Sequence, residues 1–318
     1  MSPATVSYVI NQNHVGTPNI TPATQSRVLE AMAQLNYVPN MAGRNLRRQL
    51  TERICLVLTD IGRPYDNKLV QDIQKVADHH KHSLIITTID TPERKTKVLK
   101  QLQSRVADGA IINHEDLEEA ELQILVKAQI PLVIFSNRLT PAGFDVVRTN
   151  EGEASYSAVK YLLEKGHRRI GIITNFHRHP FQDVRLNSYR QALTDYGVPL
   201  DESLIVTGID RPEAYIGAKK LLQLPDRPTA IFASSDRAAI SAFWTIRDAG
   251  LQIPQDMAVI GVGNIPESHY TSPTLTTIGP VSLDFTEAAN LLFSRMHDPS
   301  LKGRKHLINW ELIIRGSA

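Results

Sequence analysis

The 318-residue chain carries a net charge of +2 and is 42% hydrophobic and 21% charged, the balance of an ordinary globular protein rather than a disordered one. No apolar run approaches the about 20 residues that span a bilayer, and a single cysteine, Cys55, excludes an intrachain disulfide. The length supports two domains with a core each, and the N-terminus lacks the basic and apolar regions of a secretory signal, so a cytoplasmic, reducing location is expected.

In chain order, Ser2 and Pro3 suit an N-cap and first helical position, with Val6, Val9 and Ile10 at helical spacing. A turn rich in Asn, His, Gly and Pro follows over residues 11–19. Thr21 and Pro22 then open a second helix with an apolar stripe of Val28, Leu29, Met32 and Leu35. Two helices are visible where a helix-turn-helix domain needs three. Arg44, Arg47, Arg48 and Arg53 gather beyond them, and the location of this charge says more than the small net sum. Apolar runs then recur over 54–59, 83–89, 110–112, 132–135, 170–174, 230–233 and 258–262, with helical patterns between them. Strands alternating with helices predict an α/β fold of parallel sheets covered on both faces.

Several segments match one family in order. Thr5-Val6-Ser7-Tyr8-Val9-Ile10-Asn11 reads TVSxVxN, and Leu35-Asn36-Tyr37-Val38-Pro39-Asn40 reads LNYxPN. Further on come Gly166-His167-Arg168-Arg169-Ile170, then Arg185 with Tyr189, Ala192 and Leu193, where Ser188 replaces a glycine. Pro228 to Asp236, Gly250 to Gly261 and Pro273 to Ile278 complete the series. Together they resemble the lactose-repressor (LacI/GalR) family of transcriptional regulators. The resemblance implies a partial helix-turn-helix headpiece and hinge over 1–50. It also implies a periplasmic-binding-protein-like core over 51–318 with a small-molecule effector between two lobes. Lobe one is expected over about 54–149 plus 281–305, and lobe two over about 150–280 plus 306–318.

On that resemblance, Pro3, Ala4 and Tyr8 take base-reading positions, Thr5 and Ser7 contact phosphates, and Asn11 closes the motif. Pro3 and Ala4 offer apolar contact alone and Tyr8 one hydroxyl, so no bidentate reader worth about 1–3 kcal/mol per base is present. Leu46 matches the minor-groove wedge of the family's hinge helix, with Arg44 and Arg47 adding salt-dependent phosphate attraction.

Carried over position by position, the effector residues are Tyr65, Ser136, His179, Arg185, Ser235, Asp236 and Gly263, with Arg185 as a fixed donor to effector oxygens. Gly263, Ser136 and Thr149 stand where the family often has acids, while His177, Arg178 and His179 add positive charge ahead of Arg185. A sugar-like effector, anionic as in a sugar phosphate or sugar acid, is the expectation.

Enzyme readings find no support. Cys55 sits in an apolar strand, His79, His80 and His82 lack a ligand partner set, and neither a Walker A loop nor a GxSxG elbow occurs. No cofactor, metal or membrane partner is expected. The expected partners are pseudo-palindromic operator DNA, the effector and a second copy in a homodimer, with inducer and corepressor action both open. Met1 stands where the family usually has the Val of G-V-S, so either the native start lies upstream or the chain is a DNA-incompetent small-molecule sensor.

Overall fold

The computed structural model describes residues 3–10, 20–37, 50–114, 117–174, 183–208 and 210–318. Their contacts divide the chain into two units, Met1–Glu52 and Arg53–Ala318.

The first unit contains α1 (Pro3–Ile10) and α2 (Pro22–Gln34), which touch each other. Thr21 caps α2 by accepting from the Thr24 amide, and Pro22 sits in its first turn, where a missing N–H costs nothing. Val9 and Val28 are buried, whereas Leu29 and Leu35 are exposed and Met32 is half-buried. The apolar stripe expected along α2 is therefore covered at Val28 and left open at Leu29 and Leu35, because an eight-residue helix can shield only the line it lies against.

The second unit holds two six-stranded sheets among the described residues. Its strands are β1 (Arg53–Leu58), β2 (Ser83–Thr88), β3 (Gly109–Asn113), β4 (Leu132–Phe135), β5 (Asp145–Thr149), β6 (Ile170–Thr174), β7 (Ile205–Thr207), β8 (Ala230–Ala233), β9 (Ala258–Val262), β10 (Thr276–Gly279), β11 (Lys305–Ile308) and β12 (Glu311–Ile313). The orders are β11-β5-β4-β3-β1-β2 and β12-β10-β9-β8-β6-β7. Every pair is parallel except β10 with β12. The helices are α3 (Pro64–His79), α4 (Pro92–Gln103), α5 (Glu119–Lys127), α6 (Glu151–Glu164), α7 (Val184–Asp195), α8 (Arg211–Leu222), α9 (Asp236–Asp248) and α10 (Thr286–His297).

Side chains alternate across a strand, so each central strand serves two cores. In β1, Ile54, Leu56 and Leu58 join Leu69 and Ile73 of α3, while Cys55 and Val57 face Val98 and Leu102 of α4. The same division runs through the second sheet. Ile172 and Phe232 meet Leu186 and Tyr189 of α7, and Ile173 and Ile231 meet Ala218 of α8 and Ala239 of α9. One core, holding Ile54 and Leu56 as well as Ile172 and Ile260, is continuous through both lobes. Burial pushes the Cys55 thiol up to about 11, so it packs as a small apolar side chain. His80 stacks on Phe293 at 4.0 Å, and burial holds its imidazole below its ordinary pKa.

The chain crosses between the sheets three times. The first crossing follows β5 at Asn150, the second runs from β10 to α10, and the third lies between β11 and β12. Because β11 pairs with β5, residues up to Ile308 lie in the first sheet, where the sequence suggested a change of lobe near 305. Gly166, at φ +94, ends α6, and Arg168 donates to the carbonyl of Leu163 in its last turn at 2.7 Å, as expected of a cation at a helix C-terminus.

Two buried carboxylates brace the lobes. Asp145 of β5 is fully buried and accepts from Arg295 Nη2 of α10 at 2.7 Å, and from Arg304 Nη2 and its backbone N at 2.7 and 2.8 Å. Burial works against its ionisation, but the hydrogen bonds from Arg304 and Arg295 outweigh it and hold the carboxyl below its ordinary range. Asp236, at the start of α9, accepts from Ile265 N at 2.8 Å and from Thr277 Oγ1 at 2.5 Å, joining α9 to the segment after β9 and to β10. Gly261 leaves the space for it, since a Cβ there would lie 2.3 Å from Asp236 Oδ1. Burial pushes the Asp236 carboxyl up to about 6, against the hydrogen bonds from Thr277 and Ile265.

Replacing Asp145 with Asn leaves Arg295, 2% exposed, without its counter-charge. Urea unfolding of D145N should show a loss of about 3–5 kcal/mol. Since the Asp145 pKa is lowered on folding, its contribution is complete above about pH 4 and fades as the pH falls below that. Asp236 has the opposite sign. Its raised pKa gives stability that is present below about pH 4 and is lost as the pH rises through about 6. The melting temperature of D236N relative to the unmodified protein should therefore improve steadily between pH 4 and pH 7.

Candidate functional site

In parallel sheets the loops after the strands collect on one side, and ligands bind at the C-terminal strand ends. Here the loops after β1, β3 and β4 face those after β6, β8 and β9 around the three crossings. Asn150 grips Trp310 from the first crossing to the third: Trp310 N donates to Asn150 Oδ1 at 2.6 Å, and Asn150 Nδ2 donates to Trp310 O at 3.2 Å. The second crossing is held at both ends, where Asn264 Nδ2 donates to Pro280 O at 2.9 Å and Phe285 N donates to Asp72 Oδ2 at 2.9 Å. Away from the crossings, Arg237 Nη2 donates to Gly62 O at 2.7 Å, linking the first turn of α9 to the loop after β1.

Tyr65, in the first turn of α3, packs edge-on against Phe285 at 4.7 Å and lies 6.4 Å from the Trp310 ring. Burial forces its hydroxyl far above the ordinary tyrosine range. Glu151 and Asp66 add to the shift and Arg185 opposes it, so these four side chains share one electrostatic neighbourhood. Arg185 is positioned by Asp183, which caps α7 by accepting from the amides of Arg185 and Leu186, both at 3.0 Å, and which also accepts from Thr174 Oγ1. The guanidinium donates through Nη1 to Ser234 O at 2.5 Å, and its Nε lies 3.5 Å from Glu151 Oε1. That Nε is buried and has no hydrogen-bond partner among the described residues. Asp66 is 7% exposed and accepts from Asn113 Nδ2 at 3.2 Å. Burial first, then Asp60, raise its carboxyl to about 6 against Arg63 and Asn113.

Of the expected effector residues, Tyr65 and Arg185 lie in one electrostatic neighbourhood. The other expected effector residues have local duties. Ser136 Oγ accepts from the amides of Arg138 and Leu139 at 3.2 and 3.1 Å, closing the turn after β4, and Ser235 Oγ caps α9 at the Ala238 amide. Asp236 spends both oxygens on its brace and is 1% exposed, so it does not face the cleft as a free acceptor. Gly263 adopts φ +125, a backbone that a side chain rarely takes, which accounts for the absence of an acid there. Thr149 pairs with Asn137, each donating to the other, at 2.8 and 3.0 Å. His179 lies outside the described residues. Sequence reasoning missed Asp66, Glu151, Asn150 and Trp310. The signal for the first two was a carboxylate in the first helical turn after a strand, which on sequence alone reads as a helix-dipole residue.

Of the expected DNA contacts, Tyr8 is 41% exposed on α1 and Thr5 is half-buried. Asn11, Arg44, Leu46 and Arg47, and the side chains of Pro3, Ala4 and Ser7, lie outside the described residues. No helix among the described residues is long and apolar enough to cross a membrane, and none of their His, Cys, Asp and Glu form a group that could hold a metal ion.

Residues 159–318 match the family described as a periplasmic binding protein-like domain, and residues 1–40 match bacterial regulatory proteins of the lacI family. The HTH-type transcriptional repressor PurR of Histophilus somni (strain 129Pt) is 30% identical over 324 residues, covering 100% of this chain and 95% of the repressor. The lac repressor dimer bound to operator and an anti-inducer superposes with a TM-score of 0.81 at 21% identity, covering 98% of this chain and 94% of that one. The transcriptional regulator CelR in complex with cellobiose gives 0.73 at 24% identity, covering 98% and 94%, and both structures share the fold. The chain belongs to the lacI family of bacterial transcriptional regulators, a family of DNA-binding proteins rather than enzymes.

Proposed function

We propose that the protein is a cytoplasmic repressor that binds a pseudo-palindromic operator as a homodimer and is controlled by a neutral, polyhydroxylated effector held between its two lobes. The observation that carries this reading is the cluster of Tyr65, Asp66, Glu151 and Arg185, contributed by α3 and α6 at the first crossing and by α7 beyond it. An aromatic face beside opposed donors and acceptors is the equipment for a sugar ring. The anionic effector expected from sequence leaned on Arg185 together with 177–179. The latter lie outside the described residues, and Glu151 stands 3.5 Å from the guanidinium with Asp66 nearby. Carboxylates so placed offset the cation and disfavour a phosphate. The lac repressor is a dimer on operator in its solved structure and CelR holds cellobiose in its own, both of which agree with the proposal.

Operator binding couples to the effector if the ligand prefers one relative arrangement of the lobes, since only differential affinity can shift the equilibrium. Fluorescence anisotropy with DNA from the gene's own upstream region should give specific binding that weakens steeply with salt, as counterion release requires. Absence of binding at low salt would leave a small-molecule sensor without operator activity. Calorimetric titration should rank neutral sugars above their phosphates. Arg185→Ala should weaken the best of them by about 10- to 100-fold, the loss of a charged hydrogen bond. A preference for phosphates would return the anionic reading.

A further inference from the structure

Trp310 occupies the third crossing and is 5% exposed. Its backbone is fixed in both directions by Asn150, and its ring belongs to the core that also holds Phe285, with Tyr65 packed against it. Its indole Nε1 is buried yet has no hydrogen-bond partner among the described residues. Buried tryptophans ordinarily satisfy this N–H, and leaving it unmade carries a desolvation penalty that a phenylalanine of similar shape would avoid. Among the other buried donors in this state is Arg185 Nε, and the hydroxyl of Tyr65, the ring beside Trp310, feels the charge of that same arginine. Two donors without a hydrogen-bond partner among the described residues, one on a residue anchored by Asn150 and one on an arginine anchored at Ser234 and facing Glu151, thus lie near Tyr65.

We infer that Trp310 is an effector-binding residue: its indole N–H donates to one oxygen of the bound sugar while Arg185 Nε donates to another. This rests on the effector reading given above. The ligand class is a neutral molecule with acceptor oxygens on two sides of a ring. It meets Trp310 at the crossing and Arg185 in lobe two, so occupancy ties the hinge to the second lobe.

The chain has two tryptophans, and Trp244 on α9 is 48% exposed, which makes the test direct. Wild type, Trp310→Phe and Trp244→Phe would be titrated calorimetrically with D-ribose, D-glucose and cellobiose, with tryptophan emission followed in parallel. The expected result is that the best-binding sugar loses about tenfold in affinity for W310F. W244F keeps wild-type affinity, and its remaining Trp310 emission shifts on binding. Ligand-free W310F should melt no lower than wild type, because the removed N–H had no partner; a clear drop would mean that the N–H is satisfied within the protein, and the inference fails. Equal affinity of W310F and wild type for a sugar that binds also overturns it while leaving the effector reading intact. No heat with wild type for any of the three sugars removes the neutral-sugar reading and this inference together.

Discussion

The second unit is organised by a topological constraint: two separate sheets are joined by three lengths of chain that pass side by side. Each passage is anchored in a way that the sheets alone do not provide. Asn150 binds the first to the third through both backbone groups of Trp310, and Asn264 and Asp72 fix the two ends of the second. Satisfying these backbone groups by side chains is what allows an irregular crossing to be buried at all. With the crossings held and one core continuous through both lobes, the lobes are joined along the line of the crossings.

The cleft chemistry follows from where strands end. Parallel strands place the first turns of α3, α7 and α9 on one side, and each first turn carries a polar side chain next to free amide groups. Some of these side chains are consumed locally: Ser235 and Asp183 cap their helices, and Asp236 turns inward. Tyr65, Asp66 and Arg185 remain, and with Glu151 from the first turn of α6 they share one electrostatic neighbourhood. A desolvated cleft so furnished favours ligands that bring hydroxyl groups rather than negative charge, because an added anion would have to compete with Glu151, already paired to the cation, and would meet Asp66 as well.

The part of the fold legible in the sequence was the part with a distinctive pattern. Central strands buried on both faces, such as β1 and β6, read as unbroken apolar runs. β5, with Arg148 and Thr149, and the three-residue β7 and β12 carry too little apolar signal to stand out. Arg185 and Tyr65 were singled out through motif and position, and both lie in the first turn of a helix that follows a strand. Asp236 was found but misread. A carboxylate at the first position of a helix looks the same on paper whether it faces a ligand or Thr277 and Ile265, and the choice is made by partners 29 and 41 residues away. Trp310 was invisible for a related reason, since nothing in its neighbours in sequence marks a donor without an acceptor.

The hydrogen bond from Arg237 to the Gly62 carbonyl bridges the lobes away from the crossings. Its acceptor is backbone, so substitution at residue 62 cannot remove it directly, and only the arginine side offers a handle. If the lobes also adopt an open arrangement that lacks this bond, its net worth of about 0.5–1.5 kcal/mol corresponds to a factor of about 2–10 in the ratio of closed to open lobes. That ratio sets what fraction of the protein is poised to accept a ligand before any ligand arrives, and the apparent dissociation constant scales inversely with it. Variation at position 237 would thus tune the sensitivity of the regulator to its signal without touching either the signal or the DNA, a dial that selection could turn independently of specificity.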